Sequence, residues 1–226
     1  MKMNIFKALI IGAPASGKGT ISSRIVKYFD VKHISSGDIL RNHMLNNTDL
    51  GLKAKQFVNN GHLVPDDIML SLITSELKAL GNSNWILDGF PRTKKQAEIL
   101  QTLEPVQVAL NLIVPFEVII ERVKGRWIHE PSGRIYNVEF NPPKVMGKDD
   151  VTGEDLIQRP DDQPEAVSKR LHVYSENISP VLEFYRQKGI LKDFKGNTSN
   201  EIWPHVYRFL TNYMQSKSEF CEGKVL

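Results

Sequence analysis

The chain has 226 residues, 41% hydrophobic and 24% charged, a balance that excludes wholesale disorder and supplies one sizeable core with at most small inserts. Its 29 Lys plus Arg against 26 Asp plus Glu leave a net charge of +3, too slight to argue for a nucleic-acid binder. The only cysteine, Cys221, excludes an internal disulfide and a Cys-rich zinc site, and no apolar run approaches the ~20 residues needed to span a bilayer.

Residues 6–11 read as a short buried strand followed at once by a Gly-rich turn, and 21–29 then carry apolar positions at helical spacing. Strand, glycine turn and helix in that order open an α/β unit. Helices are predicted over 38–46, 50–60 and 65–80, the last with Pro65 at its start. Short apolar runs bounded by breakers at 85–88 and 108–114 have the form of strands buried on both faces. Helices follow over 115–124 and 164–187, then a last strand over 190–194 and a last amphipathic helix over 201–214, with a polar tail expected to leave it from Ser216. One segment breaks the alternation. Residues 127–162 hold four Pro and three Gly around alternating pieces such as Arg134-Ile135-Tyr136-Asn137-Val138, and read as a small inserted β subdomain.

Gly12-Ala13-Pro14-Ala15-Ser16-Gly17-Lys18-Gly19-Thr20 matches the phosphate-loop pattern G-x-x-x-x-G-K, between a predicted strand and a predicted helix. Glycines let backbone N–H groups converge on phosphate oxygens at the positive helix end, Lys18 adds a point charge, and the Thr20 hydroxyl can position Mg²⁺ or a phosphate. Asp88-Gly89-Phe90-Pro91-Arg92 ends another predicted strand, where open parallel sheets bind their ligands. Asp88 could hold Mg²⁺ through water, Gly89 permits close backbone approach, and Arg92 offers a planar fork to phosphate. Of the ten arginines, Arg41, Arg92, Arg126, Arg159 and Arg170 lie beside breakers or predicted helix ends. Phosphoryl transfer between two nucleotides needs several such charges.

Together with Ile34-Ser35-Ser36-Gly37-Asp38-Ile39-Leu40-Arg41, these motifs resemble the adenylate kinase family of the long-lid type, over residues 8–210. Arg126-Trp127-Ile128-His129 and Ile202-Trp203-Pro204-His205-Val206-Tyr207 resemble most the mitochondrial, GTP-using branch. The resemblance implies an α/β phosphate-loop fold with a parallel sheet flanked by helices. It divides the chain into a core (1–34, 65–124, 163–226), a helical monophosphate-binding insert (35–64) and a small β lid (125–162). It implies reversible, Mg²⁺-dependent phosphoryl transfer from GTP to AMP, by a monomer that binds neither nucleic acid nor membrane. ATP as donor, and a catalytically impaired nucleotide-binding regulator, are the alternatives. A kinase acting on UMP or CMP is disfavoured by the long insert.

Carried over by position, the donor would meet Ala15, Gly17, Lys18, Gly19, Thr20, Arg126, Ile135, Tyr136 and Thr198. AMP would meet Ser36, Arg41, His62, Leu63, Val64, Gly89, Phe90, Pro91, Arg92, Gln96, Arg159 and Arg170. Lys18, Arg92, Arg122, Arg126, Arg159 and Arg170 would act on the transferred phosphoryl group. Ala15 stands where the loop usually has Gly, and its Cβ disfavours a positive φ. The resemblance also implies the mitochondrial matrix, with the cytoplasm as alternative because the first seven residues are a poor presequence. Some long-lid relatives staple the lid with a four-cysteine zinc site. Here the matching positions are His129, Ser132, Asp149 and Thr152, which implies a zinc-free lid held by hydrogen bonds, with His129 bonded to Asp149.

Overall fold

The structure, a computed structural model, describes residues 5–60, 62–158 and 162–222. Five parallel strands form one sheet in the order β2-β3-β1-β4-β7: β1 Lys7–Gly12, β2 Lys32–Ser35, β3 Trp85–Asp88, β4 Val108–Ile113 and β7 Leu191–Lys195. The central strand shows why a near-continuous apolar run suits this position. Ala8 and Ile10 enter one core layer, Leu9 and Ile11 the other, and all four are buried.

The first layer is covered by α1 (Lys18–Tyr28), α6 (Phe116–Lys124) and α8 (Ser199–Glu222), through Ile21, Ile25, Ile119, Val123, Ile202 and Val206. The second is covered by α4 (Asp66–Ala79), α5 (Lys94–Leu103) and the C-terminal half of α7 (Pro164–Gln187), through Leu72, Ile73, Ala97, Leu100, Val181 and Tyr185. The predicted α/β class with a parallel sheet flanked by helices is the architecture observed. Register aligns the strand ends that matter. Ser35 lies opposite Asp88 and Asp88 opposite Ile10, so the turns after β1, β2 and β3 open along one edge of the sheet. The chain leaves β1 toward β2 on one side while β4 pairs on the other, which is where such sheets open a crevice.

Two elements carry too little hydrophobic pattern to read from the sequence. In β2 only Ile34 is buried, and in α5 only Gln96, Ala97 and Leu100 are, with Thr93 capping the helix by accepting from Gln96 N–H at 3.2 Å. The tail from Ser216, expected to leave the last helix, continues it to Glu222.

Between β2 and α4 lie α2 (Ser36–Leu45) and α3 (Asp49–Asn59), each opened by a hydroxyl cap: Ser35 accepts from Asp38 N–H at 3.2 Å, and Thr48 from Gly51 N–H at 3.1 Å. The insert after α6 forms an antiparallel pair, β5 (Arg126–His129) with β6 (Arg134–Asn137), plus isolated bridges at Ile128–Ile157 and Lys148–Asp155. The β character expected of this excursion is present.

The α2–α3 corner generates the first prediction. A Cβ on Gly51 would collide with the His43 carbonyl group and lie 2.7 Å from Met44 N. Those are backbone atoms and cannot rotate away. Gly51→Ala is expected to cost about 3 kcal/mol, a fall in Tm of several degrees in a thermal melt; an unchanged Tm contradicts so tight a crossing.

Candidate active site

The phosphate loop is a backbone structure with one cation threaded through it. Ser16 N–H closes a turn onto Ala13 O at 3.1 Å, and Gly17, in the left-handed region at φ 90°, caps α1. Only glycine fits at Gly17, since a Cβ would stand 2.5 Å from Ser199 Oγ. Ala15 takes a positive φ of 59°, so the strain foreseen at this position is present. Lys18 folds back, and its Nζ donates to Gly12 O and Ala13 O, both at 2.9 Å.

Burial is the main cause that pushes the Lys18 ammonium down to about 8; Asp88 opposes that shift, while Arg92, Arg170 and Arg126 reinforce it. Asp88, Arg92, Arg126 and Arg170 therefore lie close enough to act on the Lys18 charge, and these arginines are three of the five named with it in the sequence. Arg92 Nε donates to Gly89 O at 2.7 Å, and Arg126 forks onto Asp162, its Nε at 2.6 Å from Oδ2 and its Nη2 on Oδ1. Asp88 also has His33 Nε2 at 3.7 Å. Asp88 and the exposed Thr20 carry hard oxygen donors, the ligand type that suits Mg²⁺. Ile135, from β6, reaches over the loop, 3.8 Å from where a Cβ on Gly19 would be.

Several expected residues stand differently. Arg122 reaches the phosphate loop itself, its Nη1 3.5 Å from where a Cβ on Gly17 would stand. It is buried under the loop, Nη1 donating to Ala15 O at 3.4 Å and Nη2 to Asn197 O, with its guanidinium 5.3 Å from the Phe140 ring. Burial lowers its pKa and Glu201 opposes that shift. Gln96 has both ends of its amide engaged, accepting from Arg92 N–H and donating to Asp66 Oδ1, each at 2.7 Å, so it shapes the turn after β3. Tyr136 directs its hydroxyl into the insert, donating to Asp149 Oδ1 at 2.8 Å, and the Thr198 hydroxyl is taken by Glu201 at 3.1 Å. Val64, Phe90 and Pro91 have buried side chains, which leaves only their backbone to meet a ligand.

Ser36 and Gly89 face one another, since a Cβ on Gly89 would lie 2.5 Å from Ser36 Oγ, and that buried hydroxyl has no partner among the described residues. Arg41 pairs with Asp38, His62 is exposed and Leu63 half-buried. Arg159 lies outside the described residues. Sequence reasoning missed Asp162, Arg134 and Glu201. Glu201 was findable, because Thr198-Ser199-Asn200-Glu201 fits the capping-box pattern.

The polar cluster of the insert forms with one correction. His129 does not hydrogen-bond Asp149; the nearest approach is 3.9 Å. Its Nδ1 meets Ser132 Oγ at 2.7 Å and its Nε2 meets Glu154 Oε2 at 2.5 Å and Thr152 Oγ1 at 3.3 Å. Asp149 is taken instead by the Arg134 fork, at 2.8 and 2.7 Å, and by the Thr152 hydroxyl at 3.0 Å. A bidentate guanidinium outcompetes an imidazole for a carboxylate. Arg134 holds the Asp149 carboxyl well below the usual carboxylate range, against the opposing effect of burial.

A strand–glycine loop–helix unit holding a desolvated lysine, with arginines and a carboxylate at the neighbouring strand ends, defines a phosphate-loop enzyme acting on polyphosphates. The family model for adenylate kinase matches residues 10–190. The chain is 53% identical over 212 residues to a mitochondrial GTP:AMP phosphotransferase of Drosophila melanogaster, covering 94% of this chain and 98% of that one. It is 43% identical over 216 residues to one from Saccharomyces cerevisiae, at 91% and 92% coverage. It is also 43% identical over 210 residues to an adenylate kinase of Shouchella clausii, at 90% and 97% coverage. The chain belongs to the adenylate kinase family and is a nucleoside monophosphate kinase.

Two predictions follow from this geometry. Lys18 holds its proton less tightly in the native state than in the unfolded chain, so stability rises with pH between about 8 and 10.5, where only the unfolded state retains the proton. A bound polyphosphate restores the proton. Calorimetric titration with a nucleoside triphosphate at pH 9, in two buffers of different ionisation heat, should show uptake of close to one proton, with affinity falling up to tenfold per pH unit. In the insert, Asp149→Asn should raise amide exchange across 126–157 at least tenfold while β1 and β4 stay protected. Uniform exchange in both regions would contradict a locally stapled insert.

Proposed function

We propose that the enzyme transfers the γ-phosphoryl group of Mg-bound GTP to AMP, reversibly, giving GDP and ADP. The observation that carries this reading is the gathering of Lys18, Arg92, Arg126 and Arg170 about one crevice, too much positive charge for a single monophosphate. GTP as donor is supported by the names of the fly and yeast relatives, and ATP is the second reading, supported by the adenylate kinase of Shouchella clausii.

In this reading residues 125–162 are the lid, 35–64 the monophosphate-binding insert, and the remainder the core. The phosphate loop from Ala15 to Thr20 cradles the donor's phosphates, with Arg126 and the backbone of Ile135 and Tyr136 above them. AMP lies at the mouths of β2 and β3, where the unpartnered Ser36 hydroxyl, the Gly89 backbone, Arg41 and Arg92 offer donors to its phosphate, with the 62–64 backbone and Gln96 alongside. Arg159 and Arg170 complete the charge around the transferred group.

The AMP phosphate is already an anion at neutral pH, because the second pKa of a monoester is about 6. No general base is needed. Lys18 and the arginines hold the two phosphates in line and neutralise the charge spread over the equatorial oxygens. Thr20 and, through water, Asp88 would hold Mg²⁺, which would supply further charge neutralisation. Lid closure removes water, the competing nucleophile. The lid works without zinc, its polar cluster standing in for a metal staple. In this reading the protein acts as a monomer in the mitochondrial matrix; the names of the fly and yeast relatives support the organelle.

A coupled diphosphate assay with AMP and each donor tests the reading. kcat/KM with GTP should exceed that with ATP by about tenfold or more, since a base edge left unpaired in a buried site is rejected steeply. Equal or better performance with ATP moves the donor assignment to ATP, and no turnover with either donor overturns the enzyme.

A further inference from the structure

The insert joins the core through two chain segments, and a single ion pair spans them. Arg126 opens β5 directly after Gly125, and Asp162 lies where the chain returns, just ahead of Gln163, the cap of α7. Nε of Arg126 donates to Asp162 Oδ2 at 2.6 Å and Nη2 donates to Oδ1, so the carboxylate takes one whole edge of the guanidinium. Both side chains are withdrawn from solvent, with 13% of Arg126 and 3% of Asp162 exposed. A desolvated two-point fork fixes direction as well as distance, which a surface ion pair does not.

Which edge is taken decides what the other can do. A guanidinium carries five N–H donors in a rigid plane. Side-on pairing through Nε and Nη2 leaves the end-on fork, Nη1 with the second N–H of Nη2, for another anion. The neighbours of Arg126 set it beside the phosphate loop. One helical turn earlier, Arg122 Nη1 donates to Ala15 O at 3.4 Å, and from β6 Ile135 Cδ1 comes within 3.8 Å of where a Cβ on Gly19 would be. Arg126 also lies close enough to Lys18 for its charge to bear on that ammonium. A loop of this kind gathers phosphate oxygens on its backbone N–H groups.

We infer that Asp162 is a positioning residue for phosphoryl transfer: by taking the side-on edge of Arg126 it aims the end-on edge at the transferred group. This rests on the reading that Arg126 acts on that group. Asp162 acts only through Arg126. The rival role is a plain staple, in which the pair merely fastens the insert to the core. A staple and an aiming device differ in what their loss does to the insert, and that difference can be measured.

The test uses Asp162→Asn, which keeps the volume and one acceptor oxygen but cannot accept from both Nε and Nη2. With GTP or ATP as donor, kcat should fall about tenfold or more, since a misplacement of about 1 Å can cost about 10²-fold. Donor KM should stay within about threefold, because the Arg126 charge remains. Amide exchange across 126–157 should match wild type. On an Arg126→Ala background, where there is no fork to aim, Asp162→Asn should cost less than about twofold more. Arg126→Lys serves as that background if the alanine variant does not fold. Wild-type kcat in Asp162→Asn overturns the inference, as does a loss of kcat accompanied by faster exchange in the insert, the mark of a staple. The same tenfold loss on the Arg126→Ala background also overturns it. Failure of the underlying reading looks different: Arg126→Ala itself would then turn over like wild type. A loss in Arg126→Ala beside wild-type kcat in Asp162→Asn removes only the role of Asp162.

Discussion

A protonated lysine set into a desolvated backbone loop is the constraint on which the rest of this structure depends. Lys18 is held by two carbonyl oxygens, Gly12 O and Ala13 O, and its one opposing carboxylate, Asp88, is outnumbered by Arg92, Arg126 and Arg170. Like charges brought together this way repel and lose hydration, an electrostatic cost that a polyphosphate relieves. The scaffold must hold it open. Parallel strands buried on both faces do so by aligning Ser35, Asp88 and the end of β1 along one edge of the sheet.

The supporting contacts have the same logic. Arg126 is held side-on by Asp162, Arg92 by Gly89 O, and Gln96 ties the Arg92 backbone to Asp66. Arg122 links three segments at once, the phosphate loop, the 196–198 turn and Phe140 of the insert. The insert cannot build a hydrophobic core from so few residues, and uses the Arg134–Asp149–Thr152 and His129–Ser132–Glu154 bonds in its place.

What the sequence made legible follows from how each feature is encoded. The apolar runs of β1, β3 and β4 and the G-x-x-x-x-G-K loop are local patterns, and each appears where it was read. The edge strand β2 and the helix α5 are stabilised by neighbours rather than by periodicity, with one buried apolar side chain in β2 and two in α5, and so escape notice. At the site, the charges of Lys18, Asp88, Arg92, Arg126 and Arg170 were readable from motif position. The duties of Arg122, Gln96 and Tyr136 were not, because each is fixed by a partner distant in sequence or folded back across a turn: Asn197, Asp66 and Asp149. A His–Asp bond expected in the insert gives way to the Arg134 fork for the same reason, since competition for one carboxylate is settled only in three dimensions.

Lys18 thus serves the ligand at some expense to the fold. Replacing it with alanine and measuring turnover and thermal melting on the same preparation tests this most directly. The expected result is a loss of about 10²-fold or more in kcat, with a Tm unchanged or raised because a desolvated charge has been removed. Turnover close to wild type in a variant that melts normally would contradict it.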